Sequence, residues 1–162
     1  MGLANNIKSM QGQDYKIAVR YGLAADLATQ QTVNLFTIDR GPIVVQGFFG
    51  VVSTALAATA TTIAVQLTTS TAYGATSVPV AVATATLSGY VVGSILTLAG
   101  GVGAALTLQT GAARGVGVYS ITNQQAWVNG ILQIVVGGAA NATGIIDWYL
   151  QYRPAVPGGR AY

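Results

Sequence analysis

The chain has 162 residues, enough for one domain with a sizeable core, and only seven Lys or Arg and four Asp give it a net charge of +3. It contains neither cysteine nor histidine, which excludes disulfides, thiolate nucleophiles and imidazole bases or metal ligands. The basic residues are scattered without a run, so we predict no specific nucleic acid partner.

The N-terminal part of the sequence changes character near residue 14. Residues 1–13 are polar and lack a periodic apolar face, so we expect an extended N-terminal arm. Over residues 15–21 large apolar side chains alternate with small or basic ones, which predicts a half-buried strand. Residues 23–28 are compatible with a single helical turn.

Two β-rich segments follow around a turn. Residues 32–38 carry β-branched and aromatic side chains and end in Asp39-Arg40-Gly41-Pro42, whose glycine and proline suit a tight turn. Residues 43–54 are apolar on both parities, which is typical of a strand covered on both faces. We therefore predict a hairpin here, with a bulge or bend near Gly47 or Gly50.

The remainder of the chain consists of short apolar or alternating runs separated by glycine-rich turns. Further strands are predicted at residues 61–68, 78–83, 90–98, 105–109, 117–121, 127–136 and 145–152. Many short strands without helix-length periodicity are typical of an all-β, antiparallel β-sandwich or jelly roll, here over residues 14–153. Residues 154–162 are rich in proline and glycine and should leave the domain as an extended C-terminal arm.

The middle of the chain is uncharged. No Asp, Glu, Lys or Arg occurs between Arg40 and Arg114, and a free monomer would normally carry charges there, so we expect neighbouring subunits to cover much of this surface. Residues 87–108 are about as long as a bilayer span. Ser, Thr and five glycines interrupt them and no Lys or Arg lies within about 15 residues before them, so we predict no membrane span.

Nothing in the sequence predicts catalysis. Asp14, Asp26, Asp39 and Asp147 are too dispersed to select a catalytic pair or a calcium site. The glycine-rich residues 111–117 lack the lysine and following helix of a phosphate-binding loop. We therefore predict no catalytic, cofactor-binding or metal-binding residues, no cofactor and no enzyme activity. The sequon Asn141-Ala142-Thr143 is interpreted as a turn, because the start of the chain lacks the features of a signal peptide.

The aromatic residues near the C-terminus allow two interpretations. At strand parity Trp148 and Leu150 share one face, while Asp147, Tyr149 and Gln151 share the other. The first face is expected in the core and the second is a candidate interface. Exposed aromatic rings would instead suit binding of glycans.

Two stretches carry a resemblance to a known family: Asn34-Leu35-Phe36-Thr37-Ile38-Asp39-Arg40-Gly41-Pro42-Ile43-Val44-Val45 and Gly144-Ile145-Ile146-Asp147-Trp148-Tyr149-Leu150-Gln151-Tyr152-Arg153-Pro154. They resemble small virion structural proteins of tailed bacteriophages. The resemblance implies a capsid decoration or cement protein that binds the major capsid protein at the capsid surface, after assembly in the host cytoplasm. Low charge fits obligate interfaces, and symmetry favours a homo-oligomer, a trimer or a dimer. Alternatives are a phage tail-tube or fibre subunit and a glycan- or receptor-binding β-sandwich module.

Overall fold

The computed structural model describes residues 15–84, 86–98, 103–109, 120–141 and 143–162. Within them the chain forms eleven strands and two short 3-10 turns, Ala24–Asp26 and Thr71–Tyr73. The strands are β1 (Lys16–Arg20), β2 (Gln31–Asp39), β3 (Ile43–Thr54), β4 (Thr61–Thr69), β5 (Ser77–Ala81), β6 (Ile95–Thr97), β7 (Thr107–Gln109), β8 (Ser120–Trp127), β9 (Gly130–Gly138), β10 (Ile145–Pro154) and β11 (Arg160–Ala161).

The strands form two antiparallel sheets. The first sheet, sheet 1, has the order β1-β10-β3-β6-β7, and β8 lies beside the first half of β3 on the side where β6 pairs with its second half. The second sheet, sheet 2, has the order β11-β2-β9-β4-β5. This confirms the predicted all-β class and the two-sheet sandwich.

The core lies between the sheets because alternate residues of each long strand are apolar. Sheet 2 contributes Phe36, Ile63 and Ile134, and sheet 1 contributes Phe48 and Trp148, all with at most 1% of their surface exposed. Full burial of a side chain of this size stabilises the fold by about 1.5–3 kcal/mol relative to leaving it in water. The regular alternation of buried and half-buried residues in β4, β9 and β10 shows the same division between an inner and an outer face.

The predicted hairpin at Asp39–Pro42 is wrong, although both strands are present. β2 belongs to sheet 2, where it pairs with β9 and β11, whereas β3 belongs to sheet 1. The turn contains two residues with positive φ, Arg40 at 58° and Gly41 at 124°. It therefore carries the chain from one sheet to the other. Turn residues alone do not distinguish such a corner from a hairpin. The distinction depends on the strands that pair with β2 and β3, which are β9 and β10 and lie far away in sequence.

Three predicted strands differ from those observed. Residues 127–136 contain the end of β8, a break at Val128 and Asn129, and most of β9. Residues 90–98 are reduced to the three residues of β6, because a turn with Gly93 at φ 86° precedes them. The segment 117–121 lies largely outside the described residues. The bulge expected near Gly47 is present as a register shift of β3 between Val45 and Gly47.

The C-terminal residues do not leave the domain as an arm. They turn back so that β11 pairs with the end of β2, and the backbones of Thr37 and Tyr162 exchange two hydrogen bonds. The Tyr152 hydroxyl donates to the Ala161 carbonyl, and Arg160 forms a salt bridge with Asp39. Arg153 and Pro154 still pair with β3 at the end of β10, contrary to the expectation that proline would stop the ladder, and the turn that follows returns the chain to the sandwich. The expected arm at residues 1–13 lies outside the described residues.

Candidate interaction surface

The strand β1 exposes its large apolar side chains. Tyr15, Ile17, Val19 and Tyr21 are 53%, 64%, 42% and 73% exposed, whereas Ala18, on the opposite parity, is buried. The alternation that predicted this strand is therefore present, but its bulky face points away from the core.

The bulky face of β1 continues across sheet 1. Val19 lies opposite Tyr149 of β10, and Tyr149 lies opposite Phe49 of β3. The rings of Phe49 and Tyr149 stack with their centroids 4.8 Å apart and their planes 7° from parallel. Partial burial raises the pKa of the Tyr149 hydroxyl, and the neighbouring Asp147 carboxylate and Tyr21 raise it further. We call the six residues of this surface the outer apolar face: Tyr15, Ile17, Val19, Tyr21, Phe49 and Tyr149.

The orientation of β1 is fixed by contacts at its C-terminal end. Arg20 lies on the inner parity, and its guanidinium makes two hydrogen bonds to the Asp26 carboxylate, of 2.6 and 3.0 Å. The Gly22 N–H donates to Asp147 Oδ1 at 2.9 Å, and a Cβ at Gly22 would overlap the Ile146 carbonyl oxygen. Because these contacts hold both sides of the chain after β1, the strand cannot rotate to bury its large side chains.

Asp26 links β1 to the 3-10 turn. Its side chain is mostly buried and also accepts the Leu23 N–H at 2.9 Å. Burial alone would raise the pKa of Asp26, but the hydrogen bonds from Arg20 and Leu23 and the charge of Arg20 outweigh it, so the pKa lies below its ordinary value. The carboxylate is therefore ionised and paired at neutral pH.

The outer face of sheet 2 differs from the outer apolar face. Its central residues form a row of uncharged hydrogen bonds across neighbouring strands. Gln133 Nε2 donates to Asn34 Oδ1 at 2.7 Å, and Gln133 Oε1 accepts from Gln66 Nε2 at 3.0 Å and from the Thr68 hydroxyl at 2.7 Å. These polar groups satisfy one another, so the two outer faces of the sandwich offer different chemistry.

In the described part of the chain, the charged residues lie on one side of the sandwich. Every charged residue in the described part of the chain lies on β1, β2, β10, β11 or the adjoining turns, which are the first two strands of each sheet in spatial order. Two salt bridges lie there, Arg20–Asp26 and Arg160–Asp39. In the described residues, the other strands of both sheets carry no charge. The described strands without charge, β3 to β9, therefore lie next to one another in both sheets.

An open groove of about 410 Å³ lies on the uncharged side. Edge strand β5 supplies Val78, Pro79 and Val80, and the end of β8 supplies Gln125 and Trp127. Trp127 is 4% exposed, and its indole N–H donates to Gln125 Oε1 at 3.0 Å. The groove is mainly apolar.

The described aspartates that were considered for catalysis or metal binding make structural contacts. Asp39 pairs with Arg160, whose hydrogen bond lowers the pKa of Asp39, and Asp147 accepts the Gly22 N–H. No cluster of three or more potential metal ligands occurs among the described residues. Asp14 and the glycine-rich residues 111–117 lie outside them.

The residues Trp148, Leu150 and Asn141 are buried in the fold. Trp148 is 1% exposed and stacks on Phe48 with a centroid distance of 5.3 Å, and Leu150 is fully buried, so their predicted shared core face is confirmed. Asn141 is fully buried, and its Oδ1 accepts the N–H groups of Ala57 and Gly144 at 3.0 and 3.1 Å. Asn141 is thus part of a buried junction, whereas Thr143 is exposed.

No helix in the described part of the chain is long and apolar enough to cross a membrane. Comparison with protein-family models, with curated proteins and with solved structures finds no match.

Proposed function

We propose that this chain is a structural subunit that acts by assembling with other proteins and has no enzyme activity of its own. The outer apolar face carries the proposal. Exposed contiguous apolar surface of this kind marks interaction sites, and covering it stabilises an assembly by about 25 cal/mol per Å² of apolar area removed from water. The large residues of β1 would gain this stabilisation only against a neighbouring molecule.

The distribution of charge supports the same role. Charged residues on one side of the sandwich keep that side solvated, while the uncharged half of the described strands offers surface that can be buried without the cost of desolvating charges. The apolar groove beside Trp127 lies in this uncharged half. Obligate interfaces are typically more hydrophobic than ordinary protein surface, so both features suit a subunit that spends its working life in contact with neighbours.

The assembly that we propose is the capsid of a tailed bacteriophage, with this chain as a decoration or cement subunit on the outer surface of the virion. Its partners would be the major capsid protein and further copies of itself. The resemblance of residues 34–45 and 144–154 to phage virion proteins supports this choice. These two stretches contact each other in the fold, because Val45 of β3 lies opposite Tyr152 of β10.

Particles assembled with and without the chain test this function. A subunit that binds only the assembled shell stabilises it by mass action. Particles without the chain should therefore release their DNA at a lower temperature than complete particles, and adding the purified protein should raise the release temperature to that of complete particles. Equal release temperatures, with the protein absent from the capsid, would overturn the proposal.

The tail-tube alternative makes a different prediction. A tail-tube or fibre subunit should polymerise into rods or stable trimers without a shell, which electron microscopy of the purified protein would show. A decoration subunit should instead remain a small oligomer until capsids are added.

A further inference from the structure

The strand β1 is an open sheet edge. Among the described strands it pairs only with β10, so the backbone N–H and C=O groups along its other edge face away from sheet 1. The three other strands at the ends of the two sheet orders are poorer templates for pairing. β5 contains Pro79, whereas β7 and β11 have three and two residues. Unblocked edges pair readily with another chain, and β1 offers a five-residue edge without proline or glycine.

We propose that β1 pairs with β1 of a second copy, antiparallel across a two-fold axis through Ala18, so that the first sheets of the two copies become one continuous sheet. This inference deepens the proposed function, since it names the contact by which the subunits associate. An antiparallel pairing that uses all five residues of Lys16–Arg20 has Ala18 at its centre. It satisfies the open backbone groups of both copies with the same surface.

The outer side of this pairing is self-complementary. With Ala18 at the axis, Ile17 lies opposite Val19 of the second copy, and the two β-branched side chains pack across the junction. The row of Phe49, Tyr149 and Val19 then continues into the second copy through its Ile17. The outer apolar faces of the two copies become one surface.

The inner side of the pairing places two basic side chains opposite each other, with the carboxylate of Asp26 beside them. Lys16 would lie opposite Arg20 of the second copy, whose guanidinium is held by Asp26 at 2.6 Å. Lys16 forms no salt bridge with any residue in the described ranges. Its ammonium group would therefore meet an Arg–Asp pair with no net charge and a carboxylate that is ionised at neutral pH. The two-fold axis repeats this contact once on each side.

The two exposed tyrosines that flank β1 supply a substantial part of the apolar area that an interface needs. If a whole aromatic side chain offers about 200 Å², the exposed fractions of Tyr15 and Tyr21, 53% and 73%, leave roughly 250 Å² of these two residues uncovered in each copy. Standard interfaces bury about 800 Å² per partner. The backbone edge and the side chains of Ile17, Val19 and Leu23, which is 61% exposed, add to the two tyrosines.

Cysteine pairing tests the register, because the chain has no native cysteine. An Ile17→Cys variant is mixed with a Val19→Cys variant of different tag length and oxidised. Directly opposite Cβ atoms lie about 4.5–5.5 Å apart, close to disulfide geometry, while diagonal positions lie about 7–8 Å apart. We expect a disulfide between the two different variants and little between identical ones. Thr107→Cys, which places a thiol on exposed residue 107 of β7, is the control and should not cross-link.

The results of the cross-linking experiment distinguish failure of the β1 pairing from failure of the proposed capsid function. Cross-linking between identical variants, or none in a protein that is still an oligomer, would overturn the pairing of β1 while leaving the capsid role intact. Cross-linking as expected by a protein that does not bind capsids would uphold the pairing and overturn the function.

A charge variant provides an independent measurement. Lys16→Glu should strengthen the association measured by sedimentation, because it replaces the like charges of Lys16 and the directly opposite Arg20 by opposite charges at two symmetric positions. Arg40→Glu makes the same change in net charge at an exposed turn away from β1 and should leave the association unchanged. Equal effects of the two substitutions would contradict the register that places Lys16 opposite Arg20.

Discussion

Phe49 and Tyr149 stack on the side of the sheet that faces away from the core, 4.8 Å apart. The preceding residues of the same two strands, Phe48 and Trp148, stack 5.3 Å apart on the core side. β3 and β10 therefore carry two similar aromatic pairs back to back, one buried and one at the surface. A second stacked pair at the surface does little for the isolated fold, but it adds rigid apolar area for a neighbour.

The two pairs should respond differently to truncation. Trp148→Ala should lower the free energy of unfolding by about 3–5 kcal/mol, because it leaves a large cavity in the core. Tyr149→Ala should lower it by about 1 kcal/mol, close to the value of one aromatic pair, yet weaken association with neighbours. Urea unfolding gives the first quantity and sedimentation the second. If Tyr149→Ala destabilises the subunit as much as Trp148→Ala, the outer pair is part of the folding core.

The sequence predicts local structure well where one strand has one clear face. Alternation in β4 and in β10 predicts both their positions and their buried residues. Pairing partners depend on distant residues, so the turn at Gly41 suggests a hairpin that the fold does not contain. For the same reason the return of Arg160 to Asp39 is not visible in a proline- and glycine-rich tail. The apolar pattern of β1 correctly indicates a strand, but only the structure shows that Ala18, and not Val19, faces the core.

Acid should weaken the subunit through Asp26. Its pKa is lowered in the folded state, so the contribution of its ion pair is present above the ordinary value of 3.8 and is lost as the pH falls through the lower folded value. Asp26→Asn should cost about 1.5–3 kcal/mol at neutral pH and reduce the loss of stability between about pH 4 and pH 2. Thermal melting across this range measures both effects.

Asp39→Asn is the matched control for this pH dependence, since Asp39 also has a lowered pKa and an arginine partner. This pair is more exposed to solvent, which weakens it, so the substitution should have the smaller effect. A larger effect of Asp39→Asn than of Asp26→Asn would contradict the assignment.

Asn141 should matter for stability and not for glycosylation. Asn141→Ala leaves the N–H groups of Ala57 and Gly144 without their acceptor and should cost about 1–3 kcal/mol. Thr143→Ala destroys the same sequon at an exposed position and should change the melting temperature little. Equal losses from both substitutions would show that the buried hydrogen bonds are not the cause.

Removal of residues 1–13 should separate folding from assembly. The buried apolar side chains of the described fold begin at Ala18, so the shortened chain should keep its melting temperature. An arm that contacts a neighbouring subunit would lose those contacts, and occupancy on capsids should fall. A large fall in melting temperature with unchanged occupancy would mean that the segment belongs to the folded domain.

The most direct test of assembly through the outer apolar face is capsid occupancy of two aspartate variants. Ile17→Asp places a charge on this face, and Thr32→Asp places the same charge on an exposed residue of β2 in the other sheet. Both side chains are exposed, so both variants should fold with nearly unchanged melting temperatures. We predict that Ile17→Asp abolishes binding to capsids that lack the chain, while Thr32→Asp binds as the unaltered protein does. Full occupancy by a folded Ile17→Asp variant would contradict the proposed role of this face.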